Sequence, residues 1–339
     1  MKKALAGVLR IGVPVALGFW LVVHFYRQLE PAQQAELFQA FRDAHWGWLL
    51  VAIVIGWCSH LSRAWRWRYL LDHLGHDVRF INAYHATMVG YFMNLLLPRA
   101  GEASRAVVLQ RAENVPFAQG FGTILAERAV DLIGLALIAG TTLVLQIDKL
   151  DLFRARIEAF HGGASGSPDG TPWLPVILIA GVLLLAAMII LVRTRPAVRA
   201  RLAQLLTGLW DGLRSVLHTR QRGWFIAHTV LIWSLYVAMF AVGFLAVDGM
   251  REVPFAGIMA GFVAGTIGIV LVQGGIGVYP AFVALIVSIY LPAPAEGGLV
   301  RPDALALGWL LWVAQTGMLI VLGGLSLLLV RGRKAPAHP

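Results

Sequence analysis

Apolar runs of about 20 residues recur along the chain, separated by short polar stretches. That length suits a helix crossing a bilayer, and it lacks the short alternating segments of a membrane β-barrel. Ordinary candidate spans lie at 8–26, 46–62, 119–147, 173–192, 224–247 and 305–330. Two further segments are broken. Segment 80–97 is apolar but carries Asn82, His85, Gly90 and Asn94, and it ends at Pro98. Segment 254–291 is Gly-rich and interrupted at Gly274 to Gly277. The pattern predicts an all-α polytopic membrane protein with about 7–9 transmembrane helices and two broken or re-entrant segments. Interrupted segments in both halves point to two pseudo-symmetric halves, with a site near their interface.

The N-terminal 29 residues have the outline of a signal peptide, but no A-x-A-like cleavage site follows the apolar stretch. They are read as an uncleaved first span. In 193–223, Leu202, Leu205, Leu206, Leu209, Leu213, Val216 and Leu217 follow helical spacing, and arginines fill the other face. This is the pattern of an amphipathic helix on the cytoplasmic interface. Residues 162–170, GGASGSPDG, form a turn-rich loop. No stretch resembles a separate soluble domain, so 1–339 is one integral membrane domain.

Composition agrees: 58% of residues are hydrophobic and 14% charged, against roughly 25% charged in soluble domains. The net charge of +10 comes from cations flanking apolar spans. That favours anionic lipid headgroups over nucleic acid as partners. The cations also choose a topology. If 80–97 enters and returns to one side, 20 Lys and Arg fall on the cytoplasmic face and 7 outside, with Arg128 inside a span. Both termini are then cytoplasmic, and 254–291 crosses an even number of times. Arg99 and Arg105 belong to the cytoplasmic group in this scheme.

The stretch from Met93 to Asp131 holds the unusual chemistry. It places Arg99, Glu102, Arg105, Glu127, Arg128 and Asp131 in or beside apolar sequence. A charge at membrane depth costs on the order of 2.5–3.5 kcal/mol or more. Glu127 and Asp131 share a helix face, and Arg128 and Asp131 are spaced for a local pair. Arginine forks suit a phosphate, and a helix starting after Pro98 would aim its N–H groups at an anion. The alternative is an ion pair that locks two helices. The glycines of VQGGIGVYP, Gly274, Gly275 and Gly277, could expose backbone N–H groups to an anion, with Tyr279 following. In SRAWRWRYLL, Arg63, Arg66 and Arg68 alternate with aromatics and read as interfacial anchors. Cys58, the single cysteine, reads as a small buried hydrophobe and excludes an intramolecular disulfide. The histidines lack metal spacing; His60 and His85 are the ones placed to carry protons. No nucleophile motif, metal site or cofactor site is expected.

Together, SRAWRWRYLL, NLLLPRAGEASRAVVL, ILAERAVDLIGL and VQGGIGVYPA occur in an order that resembles the membrane domain of lysylphosphatidylglycerol synthases, a flippase-like family. The likeness spans nearly the whole chain. Family members often carry a proline and a charged residue around the second Gly-rich motif; here Gln273 precedes it and Tyr279 follows. The resemblance implies two re-entrant-containing halves around a lipid-accessible cavity. It implies a stand-alone member without the aminoacyl-transferase domain, in the inner (cytoplasmic) membrane of a bacterium. It further implies a headgroup site at Arg99, Glu102, Arg105, Glu127, Arg128 and Asp131, with Asn94 and the Gly-rich break beside it. The expected function is a flippase, not an enzyme, moving an anionic phospholipid or lipid-linked phosphate between leaflets. The rivals are a headgroup-modifying membrane enzyme and a non-catalytic partner of a separate cytoplasmic synthase. Homo-oligomers are compatible with all three.

Overall fold

The computed structural model describes residues 29–97, 100–149, 216–292 and 300–330, with scattered positions in 16–27 and 194–214. The expected span 173–192, the loop 162–170, most of the interfacial helix and most of the first span lie outside the described residues. Among the described residues there is no strand. The helices are α1 (Pro31–Arg42), α2 (Trp46–His73), α3 (Phe80–Leu96), α4 (Ala100–Glu113), α5 (Phe117–Gln146), α6 (Arg222–Gly243), α7 (Phe255–Leu271), α8 (Val278–Ile289) and α9 (Pro302–Leu329).

Four of these, α2, α5, α6 and α9, are long and apolar enough to cross a membrane. Their outward positions are apolar too. Leu143 on α5 and Leu328 on α9 are each at least 70% exposed, as is Val270 on the shorter α7, which suits a surface solvated by lipid rather than water. Cys58 is also exposed on α2, contrary to the expected burial.

The short helices form two hairpins. In the first, α3 and α4 run antiparallel. Gly101 packs on the Gly90 carbonyl near the tip, and Glu113 at the base accepts hydrogen bonds from Arg79 and Asn82. At 1.5 Å per residue, 17- and 14-residue arms are about 25 and 21 Å long, short of a full crossing. In the second, α7 and α8 are joined through Gln273–Gly275, where Gly274, Gly275 and Gly277 all have positive φ. Gly257 packs on Tyr290 at its base and Gly265 on Tyr279 further in.

The hairpins enter from opposite faces. Helices α2 and α6 are antiparallel: the His45 N–H bonds to the Ala246 carbonyl at one end, and Ser62 to His228 nearer the other. The first hairpin follows the C-terminal end of α2, at what is called here the first face. The second follows Ala246, at the second face. Their tips meet inside, where the Gln273 amide donates to the backbone carbonyls of Asn94 (3.0 Å) and Leu95 (3.4 Å). Helix α5 returns from the first face to the second, where Gln146 donates to the Ala256 carbonyl. Helix α9 runs the other way, from Asp303 beside Gly249 to Ser326 beside His85. The order long helix, hairpin, long helix therefore occurs twice, in opposite senses, as in inverted-repeat transporters.

One expectation changes. The chain does not turn back within 80–97; α3 is continuous to Leu96, and the returning arm is α4. Charged residues 102 and 105 therefore lie on the inner side of the hairpin rather than at its mouth. The apolar spacing of Ala106 and Leu109 lets α4 pack on Ala83, Ala86 and Ile124 despite its charges.

The hairpin tolerates no side chain at Gly101, where a β-carbon would come 2.3 Å from the Gly90 oxygen. Gly122 has nothing within 4 Å. Gly101→Val should lose about 1–3 kcal/mol or more of stability, and Gly122→Ala, inside α5, should be neutral or gain up to about 1 kcal/mol. Thermal unfolding of the detergent-solubilised protein checks both; equal effects would contradict the packing described.

Candidate functional site

Helices α2, α4 and α5 converge at mid-depth because each carries charge on the face it buries. On α2, Arg63 and Arg66 stand ten and seven residues before His73, roughly 15 and 11 Å from that end. On α5, Glu127 and Asp131 stand one turn apart on the inward face. On α4, Arg105 follows the tip by five residues.

These groups form one alternating chain of ion pairs. Arg105 Nη1 lies 2.8 Å from Glu127 Oε2. Glu127 Oε1 accepts from Arg66 Nε at 3.3 Å. Arg66 Nη1 lies 2.8 Å from Asp131 Oδ1, and Arg63 Nη1 donates to Asp131 Oδ2 at 2.6 Å. Arg66 and Glu127 are essentially inaccessible, and Arg63 and Arg105 are about 95% buried. Neighbours complete the shell. Arg66 Nη1 donates to Thr229 Oγ1, its guanidinium lies over the Phe225 ring, and Arg63 Nη2 donates to the Tyr236 hydroxyl. Tyr236 meets Tyr91 across the two halves, and the His60 ring packs at a tilt against Tyr91, 4.6 Å between centroids. Ions at such depth persist only when paired and hydrogen-bonded.

A second pair lies further out. Arg128 Nη2 meets Glu102 Oε1 at 2.9 Å, with side-chain exposures of 42% and 24%. Arg128, Glu102 and Arg105 line a narrow cleft, with free space of about 10 Å³, together with Thr87, Gly90, Tyr91, Asn94, Gly101 and Ile124. Asn94 accepts the Gly101 N–H at 2.7 Å, capping the start of α4. Arg105 is held over the Trp67 ring at 3.7 Å, and Trp67 is in turn fixed by its bond to Thr123. The Nε and Nη2 of Arg105 are buried and have no hydrogen-bond partner among the described residues. They form the side-on edge of the guanidinium, two parallel N–H donors spaced for two oxygens of one phosphate.

The structure thus brings together Asn94, Glu102, Arg105, Glu127, Arg128 and Asp131. Arg128 pairs with Glu102 on α4, not with Asp131 one turn along. Arg99 lies outside the described residues. Arg63 and Arg66 are not interfacial anchors. Helix α2 extends to His73, well past the expected span end, so these arginines fall inside and face the carboxylates. Their spacing with Ser59, Ser62 and Leu70, all buried, was the available signal. Arg68 remains near the surface, over the Trp65 ring and bonded to the Val78 carbonyl. The Gly-rich break does not join the ionic cluster. The Gly274 carbonyl accepts from Trp312 Nε1 at 2.6 Å, a β-carbon at Gly277 would strike the Gly18 oxygen, and Tyr279 packs in the apolar core with Phe240 and Val283. His85 bonds Ser326, away from the cleft. Among the described residues no group of His, Cys, Asp and Glu could hold a metal ion.

Glycosyltransferase AglD of Haloferax volcanii is 33% identical over 111 residues, covering 32% of this chain and 18% of that protein. A UPF0104 membrane protein of Methanocaldococcus jannaschii is 33% identical over 69 residues, 20% of each chain. A UPF0104 membrane protein of Pyrococcus horikoshii is 26% identical over 137 residues, 39% of this chain and 38% of that one. The matches thus span from about one fifth to two fifths of these relatives. No solved structure matches. The family profile described as the lysylphosphatidylglycerol synthase TM region matches residues 7–323, and the chain, with its polytopic helical fold, belongs to that family.

Proposed function

We propose that this protein is a lipid translocase rather than an enzyme. It would carry the phosphate-bearing headgroup of an anionic phospholipid, or of a lipid-linked phosphate, between leaflets of the cytoplasmic membrane. The observation that carries the reading is the Arg105 guanidinium, which lines the cleft beside the tip of the first hairpin and keeps two buried donors without a hydrogen-bond partner among the described residues. Donors at mid-depth can hold a headgroup part-way across while the acyl chains stay in the bilayer. Family membership supports a lipid-related membrane role.

In this reading the ionic groups divide in two. Arg63, Arg66 and Asp131 fasten α2 to α5 and build the floor. Arg105, Arg128 and Glu102 face the cleft and meet the headgroup. The first face is cytoplasmic in this reading, since it carries Arg220 and Arg222 at the start of α6 and Arg68 and Arg79 beside the base of the first hairpin.

Three measurements test the proposal. Reconstituted protein should accelerate leaflet exchange of labelled anionic lipids over empty vesicles, and Arg105→Gln should remove most of that acceleration while the protein still melts cooperatively. No acceleration by the unmodified protein, across several anionic lipids, would sink the translocase reading. Asp131→Ala should instead act on the fold, costing about 3–5 kcal/mol because two arginines lose their shared partner; a melting temperature unchanged from the parent would refute the floor role. For orientation, a cysteine at Arg220 in a Cys58→Ala background should react with an impermeant maleimide in inverted vesicles only. Labelling in right-side-out vesicles would reverse the assignment.

A further inference from the structure

We infer that the cleft beside Arg105 is built for a headgroup with a single phosphate charge, a phosphodiester, and that Glu102 rejects headgroups carrying a second negative charge. The inference rests on reading the cleft as a headgroup site. It narrows the substrate from any lipid-borne phosphate to one charge class.

The charge balance of the described residues carries it. Arg63, Arg66 and Arg105 face two carboxylates, Glu127 and Asp131, so the buried chain has one uncompensated positive charge. That excess is expressed at Arg105, the member with two unpartnered donors. One monoanionic phosphate, taking both donors on two of its oxygens, brings the cluster to neutrality. A second charge would find no free cation among the described cleft residues. Arg128 is the other cation there, and Glu102 already holds it at 2.9 Å. The second charge would then stand near the Glu102 carboxylate, which repels it. Rejection by a fixed like charge is a common device of specificity. Glu102→Gln keeps the side chain's shape, releases Arg128 and raises the positive excess of the site to two.

The test uses the purified full chain and two lipids that differ by one methyl group, which limits the phosphate to a single charge: phosphatidylmethanol, a phosphodiester, and phosphatidate, a monoester with the same acyl chains, at pH 8. Binding is read by native mass spectrometry, and by the fluorescence of Trp67, which stacks on Arg105, in a background where the other tryptophans give a constant signal. The unmodified protein should favour phosphatidylmethanol by roughly tenfold, about 1.4 kcal/mol. Glu102→Gln should cancel or reverse that preference with its melting temperature unchanged. Equal or tighter binding of phosphatidate by the unmodified protein overturns the inference, as does a preference that survives Glu102→Gln. Binding that survives Arg105→Gln overturns both the inference and the headgroup site. A preference that behaves as expected without any leaflet exchange overturns the transport reading and leaves the inference standing.

Discussion

An arginine in the middle of a bilayer must be neutralised or hydrated, and the first half of this fold is organised around doing so. Arg63 and Arg66 are committed to depth by their positions on a 28-residue helix. Asp131 and Glu127 answer them from α5, and Glu127 has an oxygen left to receive Arg105 from α4. Three helices that also share the apolar cluster of Trp67, Leu109 and Ile124 are thereby fixed in register, because sliding any one would strand a charge. Thr229 and Tyr236 extend the same network to α6, tying the second half of the chain to the first.

The two halves repeat an architecture but not a chemistry. Where the first half gathers five buried ions, the second half packs Phe240, Phe262, Tyr279, Val283 and Leu311. Its hairpin tip is held by backbone and amide hydrogen bonds, through Gly274, Gln273 and Trp312, instead of by charge. One half thus presents a polar cavity wall and the other a rigid apolar buttress against it. Asn94 joins the two: its side chain caps α4 in the cleft, while its backbone carbonyl receives Gln273 from the opposite tip.

The helical class and the two interruptions were legible in the sequence because apolar length and Gly/Pro punctuation are local signals. The cluster was half legible. Glu102, Arg105, Glu127, Arg128 and Asp131 drew attention because charges in apolar sequence are expensive. Arg63 and Arg66 did not, because three tryptophan- and tyrosine-flanked arginines look the same at a membrane boundary as on a buried helix face. Only the partner's position, 61 to 68 residues further on, separates those cases. The direction of the first hairpin was missed for a related reason. Helix α4 has too little hydropathy to look like a membrane-embedded arm, and its burial depends on neighbours that a local window does not see. Tyr279 was misjudged because glycines with positive φ can serve either an anion or a tight chain reversal, and here they serve the reversal.

The composition of α4 bears on how the protein is made. A 14-residue segment with Glu102, Arg105, Arg111 and Glu113 is too short and too polar to partition into lipid from a translocation channel by itself. Glu102 and Arg105 find their partners only on α5, and Glu113 finds its own at the base of α3. The arm is therefore stable at its depth only where α5 already stands beside it to pair its charges. A lost partner on α5 would then unsettle the whole arm rather than one contact.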